Sequence, residues 1–340
     1  MAPVNSKACS AYDGLSRKKQ TEHGKDLVTL TSHFLPEGRL LSTAENQAAL
    51  SSPAALRRCM EEGRIIEGTA LLCDPDHNLT VAVGPWTGFI PREEAALGIA
   101  EGTTRDIAIL SRVGKSVACV VTGMEEWEDG SLRPILSRRL AQEQALGYMM
   151  EHIRSGMVIP ALVSHLEPFG AFVDVGCGVA SMIGIENISV SRIPHPKCRF
   201  SPGQEILAAV LDVDRSRRRI YLTHKELLGT WAENAARFKA GATVPGVVRG
   251  VKDYGLFVEL TPNLSGLAEL RPGIGEGDRV SVYIKAILPE RMKIKLLAID
   301  KLPPAAPEPL QYFITEGPIG KWKYAPEGCV KLGAETIFAG

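Results

Sequence analysis

The 340-residue chain has no net charge, with 39 basic residues against 39 acidic ones, and only 6% of it is aromatic. Without an excess of positive charge it lacks the usual electrostatic footprint of a nucleic-acid binder, and this balance alone points away from that class. No apolar run approaches the ~18 residues of a membrane-spanning helix. The first twenty residues hold Lys7, Arg17, Lys18 and Lys19 but no apolar stretch, so no secretory signal is expected. The seven cysteines (Cys9, Cys59, Cys73, Cys119, Cys177, Cys198 and Cys329) are odd in number, scattered and without a C-x-x-C pair. That excludes a disulfide framework or a zinc knuckle and fits a reducing, cytoplasmic setting. Catalytic signatures are missing as well. There is no G-x-x-x-x-G-K-[ST], H-E-x-x-H or G-x-S-x-G, and the histidines at 23, 33, 77, 152, 165, 195 and 224 show no metal-ligand spacing. Gly176-x-Gly178 and Gly273-x-Gly275-x-Gly277 open no helix after a parallel strand and read as turns. The expectation is a non-enzymatic protein with no cofactor, metal or small-molecule substrate.

What the chain does have is an internal repeat, the feature that decides fold class before any other. Gly156-Met-Val-Ile-Pro-Ala-Leu-Val-Ser-His-Leu-Glu-Pro-Phe169-Gly-Ala-Phe172-Val-Asp-Val aligns without gaps on Gly241-Ala-Thr-Val-Pro-Gly-Val-Val-Arg-Gly-Val-Lys-Asp-Tyr254-Gly-Leu-Phe257-Val-Glu-Leu, 85 positions later. Ser181–Ile185 meets Gly266–Leu270 at the same offset, and after a shorter loop Ile220–Leu222 meets Ile294–Leu296 at an offset of 74. Each copy reads as five short strands of β period, in the second copy Val158–Leu166, Gly170–Val175, a third near Ser181, Ile206–Val213 and Ile220–Thr223. Five strands in about 70 residues is the size and order of an OB barrel. A weaker copy lies upstream at Ile65–Cys73, Leu79–Val83, Gly88–Pro91, Ser116–Val121 and Arg133–Ser137. The reading is all-β: three tandem five-stranded OB barrels joined by short helices, plus a C-terminal β-ribbon. The segments are a loosely ordered tail (1–35), a degenerate first domain (36–139), a linker helix (140–155), a second domain (156–226), a second linker helix (227–240, with Trp231, Ala235 and Phe238 on one face), a third domain (241–300) and a Pro-rich linker with the ribbon (301–340). Gln311–Thr315 and Lys321–Tyr324 are the expected ribbon strands.

On Phe169-Gly-Ala-Phe172-Val-Asp-Val-Gly and Gly203-Gln-Glu, residues 156–225 resemble the S-one (S1) RNA-binding domain, and from Phe34 onward the chain resembles the compact clostridial-type members of the ribosomal protein S1 family. Leu35-Pro-Glu-Gly-Arg-Leu-Leu, Gly88-Phe-Ile-Pro-Arg-Glu-Glu, Ser137-Arg-Arg-Leu-Ala-Gln, Gly229-Thr-Trp-Ala-Glu-Asn-Ala-Ala-Arg-Phe and Ile319-Gly-Lys-Trp-Lys-Tyr-Ala-Pro carry the wider likeness. The resemblance implies binding of single-stranded RNA, mRNA held near the small ribosomal subunit. It places stacking aromatics at Phe169 and Phe172 and at Tyr254 and Phe257, a basic residue before strand five at Arg219 or Arg218 and at Lys293, and an acidic turn residue at Asp214. The family's strand-three histidine is absent: Pro91, Gly184 and Glu269 stand there. Leu288 replaces the acidic residue in copy three, and copy one has His77 and Thr80 in place of the rings.

Physical chemistry adds to this. Residues three apart point to opposite faces of a regular strand, so for both rings of a pair to share a face the first must sit at the start of the strand, where Gly170 or Gly255 permits a turn or bulge. The alternative is that the rings are core. Arg215, Arg218 and Arg219 lie in the densest basic run, and Arg249, Lys252, Arg291, Lys293 and Lys295 form a similar set in copy three; such runs read either as solvated turns or as phosphate contacts beside the rings. Lys321-Trp-Lys-Tyr324 extends the face or packs on the third barrel. By segment the charge is uneven: residues 57–139 carry −3, while 156–226 and 241–300 each carry +1. The acidic, ring-poor first copy suits protein docking better than RNA. Two other readings stay open: an RNA-turnover or regulatory accessory factor away from the ribosome, and a protein-interaction scaffold whose barrels have lost RNA binding.

Overall fold

The computed structural model describes residues 34–126, 131–306, 309–331 and 333–339. Apart from Phe34 and Leu35, the tail expected at 1–35 lies outside the described residues. The chain sorts into two compact units, one of Met1–Ile153 with Asp174–Ala180, the other of Arg154–Val173 with Ser181–Gly340.

The first unit opens with two helices that the sequence reading did not anticipate, α1 (Ala44–Ala49) and α2 (Pro53–Glu62). Their signals are ordinary. The Ser52 hydroxyl accepts from the Ala55 amide, Pro53 starts the helix and Gly63 ends it in the left-handed conformation. Strands β1 (Ile65–Cys73), β2 (Leu79–Val83), β3 (Trp86–Ile90), β4 (Ser116–Glu126) and β5 (Leu132–Ser137) follow, with a one-turn helix α3 (Ile107–Leu110) before β4. They close in the order β1-β2-β3-β5-β4 around Ile66, Leu79, Val81, Ile90, Val117 and Leu136. The linker helix α4 is Arg138–His152, beginning two residues before the predicted segment.

A buried charge cluster organises this unit. The Glu37 carboxylate accepts from Arg138 Nε (2.6 Å) and Nη2 (3.0 Å), from Arg112 Nη1 (2.9 Å) and from the Ala118 amide (3.2 Å). Those cations hold Glu37 below the usual carboxylate range against its burial. Asp174 accepts from the amides of Glu37, Gly176 and Gly178, which folds the Asp174–Ala180 loop; burial and the Glu37 charge raise its affinity for a proton. Glu67 is buried with Oε2 unpartnered, and burial pushes it up to about 7.

The second unit holds two barrels of the same topology. Strands β6 (Val158–Glu167), β7 (Gly170–Asp174), β8 (Ala180–Gly184), β9 (Glu205–Asp214) and β10 (Arg219–Thr223) close as β10-β8-β7-β6-β9. Strands β11 (Thr243–Lys252), β12 (Gly255–Thr261), β13 (Leu264–Ala268), β14 (Arg279–Leu288) and β15 (Lys293–Lys301) close as β11-β12-β13-β15-β14. The helix predicted over 227–240 is shorter: α5 spans Trp231–Ala235 behind a capping box of Thr230 and Glu233. Trp231 is buried as expected, while the chain turns out of the helix before Phe238.

The ribbon also differs from expectation. Lys321–Lys323 (β16) pairs with Glu335–Ile337 (β17), and Gln311–Thr315 is not a strand. A pairing between Lys321–Lys323 and a segment beyond the Gly-Pro turn was invisible to local pattern because neither strand exceeds 3 residues. Trp322, Tyr324 and Phe338 are buried in the third barrel's core with Val248, Leu256, Val258 and Ile284, so the Lys321–Tyr324 segment packs on that barrel. Tyr312, freed from a strand, places its hydroxyl between the Leu207 amide (3.2 Å) and His224 Nε2 (3.1 Å). Because His224 Nδ1 faces the Ile188 carbonyl at 2.9 Å, the proton sits on Nδ1 and Nε2 accepts from Tyr312. Burial pushes His224 down to about 4, and the ring stays neutral.

Candidate nucleic-acid interface

Strand two of the second and third barrels begins with glycine, and the structure sharpens the reason. A Cβ on Gly170 would lie 2.6 Å from the Ile183 carbonyl oxygen, and on Gly255 2.4 Å from that of Ala268. Strand three therefore passes too close for any side chain, and Gly255 also takes φ +149. The aromatic before each glycine is left outside the ladder. Phe169 is 57% and Tyr254 69% exposed. Phe172 and Phe257, two residues into the strands, turn to the same side: ring centroids of Phe169 and Phe172 are 6.0 Å apart at 84°, and those of Tyr254 and Phe257 are also 6.0 Å apart at 84°. Both rings of each pair thus share a surface, and neither pair is core.

The barrel register extends each pair into a row. In the third barrel Gly250 pairs with Phe257, Phe257 with Leu267 and Leu267 with Lys295. The repeat offsets carry this row to His165, Phe172, Met182 and Tyr221 in the second barrel, where Tyr221 pairs with Met182. His165, which the sequence marked only as a strand residue, stacks on Phe172 with ring centroids 4.2 Å apart at 9°. An alternating strand pattern gives no hint of this, because the partner is on the neighbouring strand. In the first barrel the pairings Leu72–Thr80, Thr80–Phe89 and Phe89–Ile135 trace the same row. Its ring sits on strand three, and the Arg133 guanidinium lies 4.2 Å from the Phe89 centroid.

The charged candidates divide. Arg215, Arg218 and Arg219 are exposed on the β9–β10 hairpin. Asp214 builds that turn: it accepts from Ser216 Oγ (2.6 Å) and the Arg217 amide (2.9 Å), bonds that pull its carboxyl below the usual range. In the third barrel Lys252, Arg291 and Lys293 are exposed, and Met292 in the left-handed region turns the chain between the last two. Arg249 is held elsewhere. Its Nε and Nη2 lie 3.2 and 3.1 Å from the Glu259 carboxylate, which also takes the buried Arg199. Glu269, at the strand-three position, pairs with Lys285 at 2.9 Å. Among the described residues no group of His, Cys, Asp and Glu could hold a metal ion, and no helix is long and apolar enough to cross a membrane.

Closed five-stranded barrels in tandem, two with a ring pair on the strand-two face and basic turns nearby, define a protein built of OB-like barrels. Residues 152–225 match the family described as the S1 RNA binding domain. Several bS1 ribosomal proteins are similar to this chain. It is similar to small ribosomal subunit protein bS1 of Leuconostoc lactis, 32% identical over 196 residues that make up 52% of this chain and 46% of that protein. The bS1 of Neisseria meningitidis serogroup B is 26% identical over 283 residues, 81% of this chain and 48% of that one. A bS1 homolog of Bacillus subtilis is 28% identical over 239 residues, 65% and 60% of the two chains. The chain spans about half the length of the first two relatives.

Proposed function

We propose that this protein binds single-stranded RNA through the second and third barrels and acts in translation, holding mRNA near the small ribosomal subunit in the cytoplasm; it is a binding protein and not an enzyme. The observation that carries the reading is the pair of matched ring sets, Phe169/Phe172 and Tyr254/Phe257, turned outward in the same geometry on two barrels. Exposed rings at fixed spacing suit successive unstacked bases, each worth ~1–3 kcal/mol with little dependence on base identity. Arg215, Arg218 and Arg219 on one barrel, and Lys252, Arg291 and Lys293 on the other, are the proposed phosphate contacts, with Asp214 shaping the first turn. Arg249, tied to Glu259, is assigned to the structure of the unit and not to RNA. Binding of a pyrimidine-rich single-stranded RNA over a range of salt, with Phe172→Ala and Phe257→Ala variants, tests this. Unchanged affinity in both variants defeats the stacking face and returns the barrels to a protein scaffold.

The first barrel supports a second role, docking to the small subunit. It carries Thr80 in place of a strand-two ring, has a charge of −3 over residues 57–139, and exposes Leu71, Leu72, Ile107, Leu110 and Val113. Leu72→Asp and Leu110→Asp should weaken co-sedimentation with small subunits and leave RNA affinity unchanged. If wild-type protein binds RNA but does not sediment with subunits, the accessory-factor reading takes its place.

A further inference from the structure

We propose that His165 and Tyr221 extend the ring pair of the second barrel into a base-stacking row of four side chains, His165–Phe172–Met182–Tyr221, so that this barrel offers more stacking surface to RNA than the third, whose row ends on a cation. The inference rests on the RNA-binding reading above and names residues that reading does not use.

His165 is exposed on β6 and supports no core. Yet its ring lies parallel to Phe172 at 4.2 Å, with one face against Phe172 and the other toward solvent. The Ser164 hydroxyl, which donates to the Phe172 carbonyl at 3.0 Å, also lies 3.4 Å from His165 Nδ1. These contacts seat the ring over its neighbour. A base arriving on that side meets an imidazole already in stacking orientation, so the ordering cost of the histidine side chain is met before binding. The next two positions continue the theme. Met182 brings a polarizable thioether, and Tyr221, in register with it, a third ring.

The third barrel makes the contrast at every matched position outside the ring pair. Gly250 replaces His165, and nothing lies within 4 Å of a Cβ added there, so no side chain extends the stack beyond Phe257. Leu267 replaces Met182, and Lys295 replaces Tyr221, exposed and next but one to Lys293. The row of the second barrel carries no obligate cation; that of the third ends on one. Stacking contacts resist salt, whereas each phosphate contact adds to the salt dependence. The occupant that fits both rows together is a single strand with flat bases and a charged backbone.

The test uses the full chain and oligouridylate, with affinity measured from low to high salt for wild type, His165→Ala, His165→Phe and Gly250→His. His165→Ala is expected to lower affinity about tenfold at every salt concentration, with the slope of log affinity against log salt unchanged. His165→Phe should restore it, and Gly250→His should raise affinity. Wild-type affinity in His165→Ala, a loss that His165→Phe does not recover, or a changed salt slope overturns this inference while leaving RNA binding itself in place. No binding by wild type at any salt overturns both.

Discussion

Across the second barrel the strand-two face reads His165, Phe172, Met182, Tyr221; across the third it reads Gly250, Phe257, Leu267, Lys295. The backbones are repeats of one another, and the ring pairs coincide in distance and angle. What stays constant is what the backbone compels: a glycine where strand three comes within contact of strand two, and an aromatic on each side of it. What varies is what the backbone leaves free. The difference teaches that a single OB scaffold can weight stacking against charge by changing neighbours of an invariant pair. The first barrel shows the limit of that freedom. Without a strand-two ring, its one aromatic on the row, Phe89, is covered by Arg133.

The largest effect should come from a residue that links the two barrels and belongs to neither face. Glu259→Ala leaves Arg199 buried without its carboxylate and is expected to destabilise the second unit by about 3–5 kcal/mol, read from urea unfolding. Arg249→Ala should likewise lower stability with little change in the salt slope of RNA binding; a reduced slope would place Arg249 back on the face.

The two units should also respond to pH in opposite senses. In the second, His224 sits near 4 when folded and near its ordinary ~6.5 when unfolded. Between those values the unfolded chain binds the extra proton, so stability is complete above about pH 6.5 and declines toward pH 4, by at most ~3 kcal/mol. In the first unit Glu67 titrates at about 7 when folded, above its ordinary carboxylate range. There the folded state binds the extra proton, and stability declines as pH rises from about 4.5 to 7. Melting temperatures of wild type, His224→Gln and Glu67→Gln against pH check both; each variant should flatten its own arm only.

On the faces themselves, Phe172→Ala and Phe257→Ala are each expected to cost ~1–3 kcal/mol of binding. The Phe257 loss should be the smaller, because Gly250 on the neighbouring strand places no ring against it, whereas His165 stacks on Phe172. The smallest effect distinguishes the rows most directly. Lys295→Ala should reduce the salt slope by about one, and Tyr221→Ala should leave the slope as it is and lower affinity at high salt. Titrations with oligouridylate read both.

Much of this was legible in the amino-acid order. The offset of 85 between copies, the β-period strands and the aromatic-Gly-x-Phe motif all follow from local rules, because alternation and glycine's freedom act over a few residues. The zero net charge, which at first argued against nucleic acid, conceals an acidic first copy and two mildly basic ones. The α1 and α2 helices were equally local: the Ser52-Pro53 start and the Gly63 stop stand in plain view. Other features were out of reach of local pattern. Arg249 resembles any strand cation until Glu259 is placed opposite it. His165 resembles any solvent-facing strand residue until closure of the barrel sets it over Phe172. The partner of Lys321–Lys323 is a distant three-residue strand, too short to announce itself.

The chain by its sequence alone determined its barrel strands, its repeat and the ring pair of each later barrel, since these depend on contacts between near neighbours. Only the tertiary structure decided which cations remain at the surface and which are consumed inside, and which rings meet across strands, because burial and cross-strand register arise when residues far apart in the chain are brought together.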